Sequence, residues 1–352
     1  MSGTNHRHAE LTAPDGVLAE LERLRGKLGL ASGPPPRIDG RYQILHTLGR
    51  GAMGEVHLAH DHRLGRTVAL KVVRTTAAVD SSTLRVRLER EALALARVDH
   101  PNVVHIFDVG SHDGQTYFTM QFVAGTTLRA WQAGRPHSEI LTAYLQAARG
   151  LAAAHAADVV HRDFKPDNAL VGDDGVTRVL DFGIAAAIRS EDLALPADSR
   201  DVAETQDIDA ATFTAPERHD LATMTRPGAL LGTLPYMASE QLAGRRADAR
   251  SDQFAFCVAL WEALTGRRPF PGRSPDALRR VILAGPDASA RAPRWLRAIL
   301  VRGLADEPRR RWPDMRALIE AIERAARRRR LARIVVMLVA VAVGVFATVR
   351  LY

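Results

Sequence analysis

The sequence predicts an α+β chain in which antiparallel strands come first, helices follow, and an apolar helix suited to crossing a membrane comes last. Three observations carry this. Apolar and polar residues alternate between turn signals from Arg41 to Val73, the period of strands with one buried face. From Ser138 onward apolar residues recur at helical spacing. Ile334 to Val349 is uncharged and almost wholly apolar.

Met1 to Glu10 is polar with no apolar stretch behind it, so no secretory signal is expected. Val17, Leu18, Leu21, Leu24 and Leu28 fall at helical spacing before Gly33-Pro34-Pro35-Pro36. They predict a marginal helix on a flexible arm over 1–40, since short isolated helices are unstable in water; a docking helix for a partner is the other reading. The turn-like stretch Asp61 to Arg66 follows a first hairpin and puts Val68-Ala69-Leu70-Lys71 on the third strand. Leu84, Leu88, Leu95 and Val98 predict a helix over 84–98 that carries Glu91. Val103 to Val109 and Thr116 to Phe122 add two strands, and Ala169 to Leu180 a short strand pair. Helices are expected over 138–156, 252–264, near 275–283, and over 294–304 and 315–326.

Composition narrows the function. With 352 residues, 46% hydrophobic and 5% aromatic, the chain can build one large or two small globular units. The net charge of +8 comes with arginines crowded near the C-terminus and no aromatic-interleaved basic motif, which excludes nucleic acid as the expected partner. Cys257 is the sole cysteine, so no disulfide or cysteine metal site is expected; it reads as a small core residue in a reducing compartment.

The chemistry is concentrated between Leu48 and Asp181. Leu48-Gly49-Arg50-Gly51-Ala52-Met53-Gly54-Glu55-Val56 is a G-x-G-x-x-G-x-V loop, whose missing side chains let backbone N–H groups approach phosphate oxygens. Such loops also occur in ordinary hairpins and dinucleotide-binding folds. Lys71 on a strand facing the loop can pair with phosphates, with Glu91 the candidate to hold it in place. As isolated residues both also fit solvated surface charges. Then come His161-Arg162-Asp163-Phe164-Lys165-Pro166-Asp167-Asn168 and Asp181-Phe182-Gly183.

In this order the motifs resemble the Hanks-type, eukaryotic-like Ser/Thr protein kinases of bacteria, from about Arg41 to Ile322. The resemblance implies a two-lobed protein kinase-like fold, with a small antiparallel β lobe plus one helix at 41–123 and a large, mainly helical lobe at 124–323. It implies ATP and Mg2+ as cofactors and Ser/Thr-bearing proteins as substrates, Lys165 favouring Ser/Thr over Tyr. By the same resemblance Asp163 is the catalytic base, Lys165 steadies the transferring phosphate, and Asn168 and Asp181 bind the metal. The nucleotide site would comprise Leu48, Gly49, Gly51, Gly54, Val56, Lys71, Glu91, Met120 and Val123, with Met120 as gatekeeper of the hinge Met120-Gln121-Phe122-Val123. Gln121 stands where bacterial relatives usually carry Glu.

Pro269-Phe270 and Pro308 to Pro313 match large-lobe landmarks, and Arg311 is expected to reach Glu240 as a buried ion pair. Glu240 lies in Gly232-Thr233-Leu234-Pro235-Tyr236-Met237-Ala238-Ser239-Glu240-Gln241, where Ser239 replaces the family's proline; Ala215-Pro216-Glu217 upstream is a decoy. That leaves 184–231 as a long activation-loop insertion, far beyond the roughly 15 residues at which loops become uncommon, and rich in acids such as Asp198, Asp201, Asp207 and Asp209. Activation by autophosphorylation is expected because Arg162 is otherwise an unpaired cation, and the resemblance, by the place where related bacterial kinases carry paired phosphothreonines, implies Thr223 or Thr225, with Thr212 and Thr214 behind them. Two copies would pair transiently for that step. A catalytically weak pseudokinase scaffold and a small-molecule phosphotransferase are the rival readings.

The tail completes the expectation. Ile334 to Val349 spans about 24 Å as a helix, slightly short of a bilayer core of about 30 Å, with Arg333 and Arg350 able to snorkel. Arg327 to Arg330 sit in a basic juxtamembrane segment, 324–333, that would hold the kinase domain on the cytoplasmic face of the cell's inner membrane. Only Arg350-Leu351-Tyr352 would emerge across it.

Overall fold

The computed structural model describes residues 37–51, 54–73, 86, 90–182, 233–272, 274–287, 289 and 292–351, the side chains only as far as 341. In it the alternating segment becomes a six-stranded antiparallel sheet in the order β1-β2-β3-β4-β6-β5. The strands are β1 (Arg37–Ile38), β2 (Tyr42–Gly51), β3 (Gly54–Asp61), β4 (Arg66–Val73), β5 (Ile106–His112) and β6 (Gln115–Gln121). Alternation sorts the side chains: Tyr42, Ala59, Val68, Leu70 and Tyr117 pack on one face, and Ala69, Val73, Phe118 and Met120 on the other. The tight β3–β4 turn is built by buried Asp61, whose carboxylate accepts from Arg63 N at 3.0 Å and from the Arg41 guanidinium at 2.9 and 2.8 Å.

Two small-lobe details differ from expectation. Arg37 and Ile38, assigned to the flexible arm, pair with Gln43 and Tyr42 as an extra edge strand too short to show any periodicity. The strand expected from Val103 starts at Ile106. Val103 and its neighbours dock on the large lobe instead: Val104 N donates to Val179 O at 3.1 Å, and Asn102 Nδ2 donates to Thr177 O at 2.8 Å. Helix α1, described over 90–95, lines a small cavity through Glu91, Ala92 and Leu95, together with Ile106, Val109 and Phe118 of the small lobe and Phe182 of the large one.

The large lobe opens with β7 (Gly125–Thr127), helix α2 (Leu128–Trp131), capped by the Thr127 hydroxyl, and helix α3 (His137–Ala156). Gly150 lets α3 approach the 102 segment, since a Cβ there would stand 2.3 Å from Asn102 O. Strands β8 (Ala169–Gly172) and β9 (Thr177–Val179) form a sheet with β7. Beyond α4 (Ser239–Leu242) runs α5 (Ala249–Thr265), buried almost throughout from Ser251 to Trp261. Asp248 caps it at one end and Gly266, at φ 71°, ends it at the other. Around it pack α6 (Pro275–Ala284) and α7 (Arg294–Gly303), with Cys257 wholly buried, its thiol pushed up to about 12 by burial.

The helices expected over 315–326 and 334–349 are one element, α8 (Met315–Leu351). The intervening basic stretch contains no Gly or Pro, and arginine is a good helix former. Met315, Leu318, Ile319, Ala321 and Ile322 are buried, whereas Leu331 and Ile334 to Val339 are exposed. Among the described residues no helix is long and apolar enough to cross a membrane. The apolar stretch described in full, 334–341, rises only about 12 Å, and arginines precede it. The expected helix over 17–30, the insertion 184–231 with its threonines and acids, and Ala52, Met53, Gly183 and Gly232 lie outside the described residues.

Candidate active site

The catalytic loop is held by its backbone. Asp252, 1% exposed in the first turn of α5, accepts from His161 N and Arg162 N, each at 2.7 Å, one on each carboxylate oxygen. His155 Nε2 sits 2.8 Å from the same carboxylate. These bonds fix Arg162 at φ 65°, a conformation that costs a non-glycine residue about 1–3 kcal/mol unless its surroundings impose it. Gln241 Nε2 donates to Arg162 O at 2.9 Å, and the His161 ring lies between Phe164 and Phe182.

On this frame the predicted catalytic residues come together. Lys165 Nζ donates to Asp163 Oδ2 at 3.0 Å and to Thr233 Oγ1 at 2.8 Å. Asn168 Nδ2 donates to Asp163 O at 2.8 Å. Asp163 Oδ1 is buried without a hydrogen-bond partner among the described residues. A buried carboxylate oxygen left unmatched is costly in a fold and marks a place where an outside donor fits. Because Asn168 spends its amide nitrogen on Asp163, its carbonyl oxygen remains the available acceptor.

On the small-lobe side Lys71, buried on β4, has its Nζ 2.7 Å from Asp181 Oδ1. Asp181 is itself at φ 58°. The expected Lys71–Glu91 pair is not formed. Glu91 instead bonds Arg162 Nη1 at 3.1 Å, so Arg162 is not the unpaired cation expected either. The physical reason is local neutralisation, each basic group having the nearer carboxylate: Asp181 for Lys71, Glu91 for Arg162. Val56, Ala69, Met120, Val123 and Leu180 pack into one apolar cluster beneath the loop, while Leu48, 44% exposed, stays at its rim. The glycines divide into two kinds. Gly54, at φ 142°, is demanded by the fold, for a Cβ there would lie 1.9 Å from Val72 O; a Cβ on Gly49 or Gly51 would meet nothing within 4 Å. Packing among the described residues therefore does not require those two to be bare.

Asp181 and Asn168 supply hard oxygen donors of the type that magnesium takes. Among the described residues no group of three or more His, Cys, Asp or Glu is placed to hold a metal unaided.

Below the loop, Arg311 and Glu240 form the expected pair, fully buried and bidentate, Nη1–Oε1 at 2.7 Å and Nη2–Oε2 at 2.8 Å. Burial alone would raise the Glu240 carboxyl, but Arg311 and the Ser251 hydroxyl hold it below the usual carboxylate range. Ser239, in the place of proline, donates to Asp306 O at 2.7 Å. Three features had no reading in the sequence analysis: the Asp252 clamp, the Thr233 hydroxyl on Lys165, and a cluster of Arg129, Asp167, Tyr236 and Glu262. The available signal for Asp252 was its place as the aspartate that opens the helix expected over 252–264, two residues before the apolar run Phe254 to Leu260; Arg129 offered none.

Comparison with known proteins shows the family and the fold. The protein kinase domain family matches residues 42–332. The chain is 35% identical over 295 residues to serine/threonine-protein kinase PrkC of Bacillus subtilis, covering 81% of this chain and 41% of that protein. It is 34% identical over 248 residues to serine/threonine-protein kinase PknB of Mycobacterium leprae, covering 68% of this chain and 35% of that protein. The chain thus spans well under half the length of these curated relatives. Its fold is similar to the crystal structure of the Mycobacterium tuberculosis PknI kinase domain, with a TM-score of 0.59 and 25% identity over 84% of this chain and 99% of that one.

Proposed function

This chain belongs to the protein kinase domain family, among the Hanks-type serine/threonine kinases of bacteria, and from that premise we propose that it transfers the γ-phosphoryl group of ATP to serine and threonine hydroxyls of proteins. The observation that carries the reading is Asp163 Oδ1, buried without a partner beside the Lys165–Thr233 hydrogen bond. A substrate hydroxyl donating to that oxygen is oriented for attack, and Lys165 Nζ lies where the negative charge of the transferring group is to be balanced. Lys71 is read as the phosphate ligand, the glycine loop as its cover, and the Val56–Met120–Val123 cluster as the wall against the adenine. Magnesium, bound through Asp181 and Asn168, would neutralise phosphate charge. A pseudokinase scaffold fits less well, since Lys71, Asp163, Asn168 and Asp181 are all retained.

The test is phosphotransfer from labelled ATP with magnesium to a generic protein and to the enzyme itself. Lys71→Met, Asp163→Ala and Asp181→Asn are each expected to lower it by several powers of ten with unchanged folding, and Asn168→Ala to raise the magnesium requirement. Near-normal autophosphorylation by Asp163→Ala would refute the assignment. Two finer parts of the reading belong with it. Autophosphorylation at Thr223 or Thr225, by transient pairing of two copies, would supply an anion that competes with Glu91 for Arg162; a Thr223→Ala/Thr225→Ala variant of full activity would contradict it. The exposed apolar side chains of α8 and the uncharged run to Val349 support attachment to the cytoplasmic face of the cell membrane. Cell fractionation of the whole chain against one ending at Arg330 tests that attachment.

A further inference from the structure

Helix α8 changes character twice along its length. Met315, Leu318, Ile319 and Ile322 bury one face of it against the large lobe, and Ile322 is the last of them. Arg324 and Arg327 to Arg330 are exposed, and from Ile334 to Val339 the apolar side chains are exposed as well, at 41–68%. Successive residues of an α-helix point about 100° apart, so Arg327, Arg328, Arg329 and Arg330 face four directions around the axis within a rise of about 4.5 Å. They make a thin positive ring and not a basic face. Among the described residues no carboxylate bridges to any of the four, nor to Arg294 or Arg324; Glu323, the neighbouring acid on α8, is held by Arg149 at 2.7 Å. The ring has a fixed level in the fold. The Arg329 guanidinium lies 5.5 Å from the centre of the Trp295 ring, in the first turn of α7, next to exposed Arg294. Trp295 is half-buried, and its Nε1 has no acceptor among the described residues. An indole with an apolar body and an unmatched donor suits a boundary between hydrocarbon and water.

We propose that this arginine ring, with Arg294 and Trp295 of α7, is a binding surface for anionic phospholipid headgroups that seats the large lobe itself on a bilayer, with α8 entering end-on. It rests on the membrane attachment proposed above for the presence of a bilayer, and adds the lipid class, the angle of entry and a second element in contact. A helix that lies in a membrane surface needs a polar and an apolar face along its length. In α8 charge encircles the axis first and apolar side chains encircle it next, so the layers succeed one another along the axis, as headgroups and acyl chains do across a leaflet. An acidic protein or a nucleic acid would engage one side of the ring and leave the apolar turns in water.

Flotation of the full chain with vesicles of phosphatidylcholine, alone or mixed with phosphatidylglycerol, gives the ratio of anionic to neutral partitioning. A basic side chain at an anionic surface contributes about fivefold to binding at low salt. Arg327→Gln, Arg328→Gln and Arg330→Gln, which keep the helix because glutamine is a comparable helix former, should each lower the ratio by about that factor, and Arg294→Gln likewise. Added salt should erase the differences. Indole emission should be quenched by lipids brominated close to the glycerol in the wild type, and distinctly less in Trp295→Phe. An effect confined to arginines on one side of α8 would show a helix lying in the surface. Equal partitioning of the wild type into both vesicles would leave hydrophobic attachment alone, and unchanged quenching in Trp295→Phe would lift the large lobe off the bilayer. Tight binding to a DNA oligonucleotide without any vesicle preference would assign the ring to nucleic acid. Each of these outcomes overturns the proposal, the second and third leaving the attachment itself standing; absence from both kinds of vesicle would overturn the attachment too.

Discussion

Beneath the cleft Asp252, Arg311 and Lys165 find their partners within the large lobe, whereas Lys71 of the small lobe is held by Asp181 of the large lobe, across the cleft. Asp252 grips two backbone amides, Arg311 and Glu240 close a buried pair, and Lys165 bridges Asp163 to Thr233. Lys71 and Glu91, by contrast, are tied to Asp181 and to Arg162, which the proposed reaction would assign to other partners. The difference teaches that, on the proposed function, the part that would orient the hydroxyl is completed by folding, while the part that would grip phosphates has partners to exchange.

The largest expected break in the rigid half is Arg311→Leu. It leaves Glu240 buried without a cation, and destabilisation of about 3–5 kcal/mol is expected in denaturant unfolding. Because Glu240's carboxyl is depressed in the folded chain, its contribution is complete above the ordinary value of 4.5 and is lost as pH falls through the lower folded value. Acid unfolding should therefore steepen below pH about 4.5, and Glu240→Gln should flatten that slope. A slope unchanged in the variant would show that the pair does not set acid stability.

Asp252→Asn comes next. An amide can accept from only one of the two backbone N–H groups and turns a donor toward the other, for a cost of about 1–3 kcal/mol. Since the loop it clamps carries Asp163, kcat should fall while the KM for ATP stays put; a change in KM alone would place the clamp's effect on the nucleotide side. The smallest effect in energy sharpens the comparison most. Hydrogen exchange with and without a non-hydrolysable ATP analogue and magnesium should change over 90–95 and around Lys71, yet leave 161–168 as protected as before. Equal changes in both halves would remove the distinction.

Legibility followed the same division. Short motifs whose residues touch one another, such as Asp163 to Asn168, stand out in the sequence, and their expected roles, like the Arg311–Glu240 pair, came from the family resemblance. The Lys71–Glu91 expectation failed because which carboxylate is nearer depends on where α1 sits, and no local pattern encodes that placement. Arg129, Asp167 and Glu262 come from three elements far apart in the chain, so their meeting is purely tertiary. The continuity of α8 was missed for another reason: a change from buried to basic to apolar faces looks like three segments, although nothing in the backbone chemistry interrupts the helix.

That unbroken helix has a mechanical consequence. Its first turns are locked into the core by Met315, Leu318 and Ile322, so the far end, about 55 Å away along the axis, keeps a fixed phase with the catalytic cleft. Inserting one residue between Arg324 and Arg333 would swing the far half by about 100°, whereas seven would return it almost to its starting face one heptad farther out. Whatever meets that end is met at a set bearing and a set distance, as by a spoke on its hub.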